Sequence, residues 1–252
     1  MKTMPNLIEQ ILKNDTIIFG FDDTLFMTEE THCRAYSIAF MQILKKRQPY
    51  LIESYKEEVI EIHNAFCDSI KRTGDFNQTI VETIMFVLHD LENGFSEYMI
   101  DNRFLLFLSQ DFYLALRFQK NILYSEIIKD KNPIDLENGK CIFLLEVLQN
   151  TKKKIGIISN SEYDSVFFLL NRADVSYMRM LDFMLCKGQL CIGKPDPEFA
   201  TTVEKHISAH TLYIGNDEID RSFASNTKMD YIDIEQFTEE DVRALTKEMI
   251  YT

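Results

Sequence analysis

Residues 16–25 read Thr-Ile-Ile-Phe-Gly-Phe-Asp-Asp-Thr-Leu. Thr16 to Phe21 is an apolar, β-branched and aromatic run too short for a helix, and it gives way at once to Asp22, Asp23 and Thr24, which predicts a buried strand whose end meets water. Upstream, Pro5 to Lys13 spaces its apolar residues as an amphipathic helix. Downstream, from Thr28 to Lys131, strand signals vanish. Apolar residues there recur three and four apart, as in Ala35, Ile38, Ala39, Ile43 and again in Ile80, Ile84, Val87, Leu88, Leu91, which predicts a helical block of about a hundred residues. Pro133 and Asn138-Gly139 close it. A helix over Cys141 to Leu148 is then predicted before a second buried strand, Lys-Ile-Gly-Ile-Ile-Ser, at 154–159. The alternation continues with a helix over Ser161 to Asn171, a strand over Phe183 to Cys186 and a helix over Pro197 to His206. A strand over Thr211 to Gly215, a helix near Arg221 and a strand over Tyr231 to Ile234 complete it, and Thr238-Glu239-Glu240 opens a capped terminal helix.

Strands alternating with helices predict an α/β fold, a doubly wound parallel sheet of the Rossmann-like kind covered on both faces. The helical block interrupts it after the first strand, so 1–27 and 133–252 form the α/β core domain and 28–132 an inserted all-helical domain. In such sheets the ligand lies beyond the carboxyl ends of the strands. Side chains two apart on a strand point the same way, which predicts that positions 20 and 22 both face that mouth. One of them is glycine. Ser159-Asn160-Ser161 precedes a helix and supplies hydroxyl and amide donors suited to an anion. Lys194 lies in Gly-Lys-Pro-Asp-Pro at 193–197, and Gly-Asn-Asp-Glu-Ile-Asp at 215–220 is a carboxylate-rich turn suited to a hard cation.

The charge balance narrows the partners. With 40 acidic against 27 basic residues the chain carries a formal charge of -13, which repels nucleic acid and anionic membrane surfaces but leaves room for a small phosphorylated ligand held by a few local donors. The 5 cysteines are an odd number and widely spread, a pattern of reduced thiols. Cys186 and Cys191 have no second Cys or His pair nearby to complete a zinc site. Met1 to Gln10 carries no signal-peptide pattern and no run reaches the ~18 apolar residues of a membrane span, so the expectation is a cytoplasmic protein.

Phe-Gly-Phe-Asp-Asp-Thr-Leu, Ile-Ile-Ser-Asn, Gly-Lys-Pro-Asp-Pro and Ile-Gly-Asn-Asp-Glu-Ile-Asp, in that order, resemble the four motifs of the haloacid dehalogenase (HAD) superfamily, mostly Mg²⁺-dependent phosphatases. The resemblance runs from Thr16 to Ile234, with the helical block corresponding to the family's cap. Thr28 to Tyr36 resembles the cap entrance of the β-phosphoglucomutase and phosphoglycolate phosphatase group, where the histidine matching His32 contacts substrate or the acid/base group. The resemblance implies an attacking Asp at the first position of the first motif and a second Asp, here Asp22, as acid and base. The first position is Gly20, which has no side chain with which to attack. It further implies Thr24 as a turn-stabilising hydroxyl, and Ser159, Asn160 and Lys194 as ligands of the phosphoryl group. Mg²⁺ would be held by the attacking carboxylate, the Asp22 carbonyl and an acid of the fourth motif. That last position is Asn216, with Asp217 and Asp220 as substitutes, so Mg²⁺ binding is expected to be weak or absent.

The expectation is therefore a catalytically impaired, phosphatase-like binder of phosphate or a small phosphorylated metabolite. Two alternatives are an active Mg²⁺-dependent phosphomonoester hydrolase in which Gly20 was introduced artificially, and a hydrolase in which Asp22 activates water without a covalent intermediate. The aromatic residues Phe104, Phe107, Phe112, Tyr113 and Phe118 read as the insert's own core or a dimer face.

Overall fold

A computed structural model describes residues 7–47, 110–187 and 193–250. The chain divides into two compact units, 1–28 with 132–252, and 29–131. Elements are numbered in chain order among the described residues.

In the first unit, helix α1 (Leu7–Lys13) leads into strand β1 (Thr16–Phe19). After the second unit come α4 (Gly139–Gln149), β2 (Lys154–Ser159), α5 (Tyr163–Ala173), α6 (Val175–Met180), β3 (Phe183–Cys186), α7 (Pro197–Val203), β4 (Thr211–Gly215), α8 (Glu218–Asn226), β5 (Asp230–Asp233) and α9 (Glu239–Ile250). The five strands form one sheet in the order β3-β2-β1-β4-β5, and every pairing is parallel. β1 is central, in register with Lys154 to Ile157 on one side and Thr211 to Ile214 on the other. A strand hydrogen-bonded on both edges and buried on both faces must be apolar throughout. Ile17, Ile18 and Phe19 are accordingly fully buried.

The chain runs from β1 outward to β2 and β3, then returns to β4 on the opposite side of β1. That reversal creates a crevice between the ends of β1 and β4, where doubly wound sheets collect ligands. One core cluster joins Ile18, Ile158 and Tyr213 of the sheet to Phe199 and Val203 of α7 and Phe223 and Ala224 of α8. Elsewhere α9 packs on α1 and α4. Helix starts follow side-chain chemistry. Asp196 accepts the Glu198 amide before Pro197 at the opening of α7, and Thr238 and Asp241 exchange hydrogen bonds at the start of α9.

The expected core elements are present, with local differences. β1 ends at Phe19, so positions 20 and 22 lie in the following turn and strand alternation does not set their directions. Asp174 breaks the helix after Ala173 and caps a separate α6 by accepting the Ser176 amide at 2.7 Å, a short helix that periodicity did not reveal. α7 stops at Val203, before His206.

In the second unit, α2 (Glu29–Arg47) packs against α3 (Gln110–Asp130). His32 stacks on Tyr124 with ring centroids 4.1 Å apart, and the buried Lys120 lies over the rings of Tyr36 and Tyr124. Phe118 is 69% exposed, so it is not part of a core. The predicted helical positions Ile80 to Leu91, Phe104 and Phe107, the side chains of Phe112 and Tyr113, and Cys67 and Cys191 lie outside the described residues. Among the described residues no helix is long and apolar enough to cross a membrane.

Cys33, Cys141 and Cys186 are buried and form no disulfide. Burial pushes the Cys141 and Cys186 thiols up to about 12. In the native protein at pH 8 both should be alkylated about 10³-fold more slowly than in the denatured chain, because the thiolate is the reacting form. Mass spectrometry of iodoacetamide-treated samples checks this.

Candidate active site

The turn after β1 is built to hold polar side chains still. The Phe21 carbonyl accepts amide hydrogens from Leu25 at 3.0 Å and Phe26 at 3.1 Å, and Asp23 donates to Phe26 at 2.7 Å. Asp23 takes a left-handed φ of 51°, which Asp tolerates better than most residues. Phe21, Leu25 and Phe26 are buried beneath this turn. Its outer edge is tied down where Asn138 donates to the Leu25 carbonyl at 2.8 Å and Met27 to that of Leu136 at 2.7 Å.

Asp22 emerges from this turn into a group of hydroxyls. Thr28 donates to its Oδ1 at 2.7 Å, while Ser161 at 2.7 Å and Ser159 at 3.2 Å donate to Oδ2. Ser159 Oγ in turn accepts the Ser161 amide at 2.9 Å. The end of β2 thus meets the end of β1 through a hydroxyl–carboxylate cluster. Ser161 falls in the Ser159-Asn160-Ser161 stretch read as a source of anion donors, whereas Thr28 was given no role, because a lone hydroxyl residue carries no pattern.

Lys194 is placed by Asn160. The Asn160 side chain accepts the Lys194 amide at 2.8 Å and donates to the Lys194 carbonyl at 3.0 Å. Asn160 therefore acts on the lysine's backbone, where sequence reasoning had assigned it to the ligand. The ammonium forms an ion pair with Asp220 Oδ1 and donates to the Tyr213 hydroxyl at 2.9 Å. Tyr213 donates to the same Asp220 oxygen at 2.9 Å, and the Asn216 amide reaches Oδ2 at 3.3 Å. The Lys194 and Asp220 side chains are only 8% and 3% exposed. Burial pushes the Tyr213 hydroxyl well above its ordinary range and the Asp220 charge adds to it, so tyrosine stays a donor. Its signal in the sequence was a phenol inside the otherwise apolar strand Thr-Leu-Tyr-Ile-Gly, since a buried hydroxyl needs a partner.

Asp217 accepts the Asp220 amide at 2.7 Å and caps α8. Burial raises its carboxyl above the usual range and the Asp220 charge adds to this, against the pull of Lys194 and of the Asp220 and Ile219 amides. Asn216 Oδ1 accepts the Thr24 hydroxyl at 3.0 Å. The structure thus brings Gly20, Asp22, Thr24, Ser159, Asn160, Lys194, Asn216, Asp217 and Asp220 into one unit. His32 belongs to the helical unit.

Position 20 decides what this arrangement can do. A Cβ there would lie 2.8 Å from Thr24 Oγ1 and 2.9 Å from Asp220 Oδ2, closer than van der Waals contact permits. The neighbouring oxygens occupy the room a side chain would need. The donor set also fits Mg²⁺ poorly. Gly20 offers no side-chain ligand, Asn216 Oδ1 is committed to Thr24 and both Asp220 oxygens accept hydrogen bonds. Among the described residues no three His, Cys, Asp or Glu side chains are grouped to hold a metal, whereas Mg²⁺ requires near-octahedral oxygen donors.

No protein-family model matches the chain. No curated protein matches it either. Solved structures do. A predicted phosphoglycolate phosphatase from Haemophilus somnus 129PT superposes with a TM-score of 0.59 at 14% identity, over 87% of this chain and 84% of that one. The β-phosphoglucomutase of Clostridium difficile gives 0.53 at 19% identity, over 95% and 100%. An assigned HAD-hydrolase of Bacillus subtilis, bound to magnesium, gives 0.54 at 15% identity, over 87% and 86%. At these identities the likeness establishes the fold, which is that of the HAD-like hydrolases, with their Rossmann-like core and helical cap.

Two outcomes follow from this geometry. Gly20→Ala should destabilise the protein by about 1–3 kcal/mol, the usual cost of overpacking, measured by urea denaturation. For Asp217, a carboxyl raised on folding binds its proton more tightly in the native state, so stability falls as pH rises from the unfolded value through the raised one. Asp217→Asn should flatten that fall, and melting curves collected across the acidic range read it out.

Proposed function

We propose that this chain binds phosphate or a small phosphorylated metabolite at the ends of β1, β2 and β4 and does not hydrolyse it through a phospho-aspartyl intermediate. The observation that carries this reading is the closure of Thr24 and Asp220 on Gly20. Covalent phosphoryl transfer needs a nucleophile aimed at phosphorus, and here the place for one is taken up by a neighbour's carboxylate. A side chain at position 20 would require the Thr24 hydroxyl and the Asp220 carboxylate to move aside.

What remains suits recognition. Lys194 supplies an ammonium that is shared with Asp220 and keeps one N–H for a ligand, and Ser159 and Ser161 supply hydroxyls that turn toward an anion if they leave Asp22. Asp22 keeps the position of an acid and base but has no covalent intermediate to serve. Binding would then rest on the lysine and the hydroxyls, with Mg²⁺ contributing little. The negative charge of the whole chain selects against long polyanions and leaves a single phosphoryl group as the anion the site can hold.

Hydrolysis of p-nitrophenyl phosphate in the presence of Mg²⁺ tests the reading on the unaltered chain, Gly20→Asp and Asp22→Asn. The expected result is no turnover above buffer in any of the three, because an Asp at position 20 would have to displace the Thr24 hydroxyl and the Asp220 carboxylate. Turnover by the unaltered chain that disappears in Asp22→Asn would overturn the reading in favour of direct water activation. Turnover appearing in Gly20→Asp would show that the site retains the machinery of an active hydrolase.

A further inference from the structure

We propose that Asp220 is a built-in counter-anion of this site, lodged in the room beside Gly20 and Gly215, and that an incoming phosphate must compete with it for Lys194. The inference rests on the anion-binding reading above and adds a residue that sets its strength.

Three observations carry it. First, the Asp220 side chain lies against two glycines at once. A Cβ at Gly215 would lie 2.4 Å from Asp220 Oδ2, and one at Gly20 would lie 2.9 Å from the same oxygen. With any side chain at either position this rotamer would be displaced. Second, the ammonium of Lys194 has three N–H donors, and two are committed to Asp220 and to the Tyr213 hydroxyl. One is left for a ligand. Third, Tyr213 holds the carboxylate as well as the lysine, so the lock joins Tyr213 of β4, Asp220 of the first turn of α8 and Lys194 from a separate loop.

The charge arithmetic gives the direction. Paired with Asp220, Lys194 presents almost no net charge to a phosphate, and the pair is sheltered from screening because both side chains are buried. Neutralising Asp220 while preserving its shape returns a full positive charge to the site. An anion then no longer has to displace an internal carboxylate, and its affinity rises.

Isothermal titration calorimetry with inorganic phosphate at fixed ionic strength tests this on the unaltered chain, Asp220→Asn and Tyr213→Phe. Asp220→Asn should bind phosphate at least tenfold more tightly than the unaltered chain. Tyr213→Phe frees one N–H without removing the carboxylate, so it should tighten binding by a smaller factor. It also serves as the second variant should Asp220→Asn fail to fold. Equal or weaker binding by the folded variants overturns the competition. A measurable affinity in the unaltered chain, unchanged in the variants, leaves the anion-binding reading standing and removes the counter-anion. Binding seen in Asp220→Asn but not in the unaltered chain does the reverse.

Discussion

The buried pair of Lys194 and Asp220 is the interaction around which the strand ends are organised. Removing one member of such a pair costs on the order of 3–5 kcal/mol, because the other charge is stranded in a low dielectric. The pair therefore exists only where further donors and acceptors complete it. Tyr213 does so from inside the sheet, the Asn216 amide does so from the turn, and Asn160 fixes the lysine's backbone from the end of β2. Glycine at 20 and 215 is the steric condition for all of this, since the carboxylate fits only where two Cβ atoms are missing.

The second polar cluster, Asp22 with Thr28, Ser159 and Ser161, obeys a different logic. Hydroxyls can rotate, donate or accept, so this cluster can rearrange around a ligand at small cost, while the ion pair cannot. The same crevice thus contains one stiff element and one adaptable element. Gly20, in the turn after β1, contributes no side chain to either.

Much of this was legible in the residues before the fold was seen. Short apolar runs ending in polar residues, such as Thr16 to Phe21 and Lys154 to Ser159, define strands by length and composition, because a parallel strand buried on both faces has no alternation to hide. Candidate residues such as Asp22 and Asn160 could be picked out because they fall just past such a run. What could not be read is how they spend their hydrogen bonds. The sequence pointed to Asn160 and Asp220, but not to the Lys194 backbone that the one clamps or to the room beside Gly20 that the other occupies. Those roles depend on distances between segments far apart in sequence, as in the approach of Asp220 to Gly20. α6 escaped for a local reason: a one-residue break at Asp174 inside a continuous helical pattern leaves the periodicity nearly intact.

The neutral residue at 216 belongs to the same argument as the glycine at 20. Asp217 and Asp220 already place two carboxylates three residues apart, and burial together with the Asp220 charge raises the Asp217 carboxyl. One lysine is present to offset them. A third carboxylate at 216 would add repulsion where the backbone amide of that residue already supports Asp220, whereas the Asn216 amide oxygen accepts the Thr24 hydroxyl without adding charge. Gly20 gives Asp220 its room and Asn216 relieves its electrostatic surroundings, so the two departures from the HAD pattern serve one carboxylate.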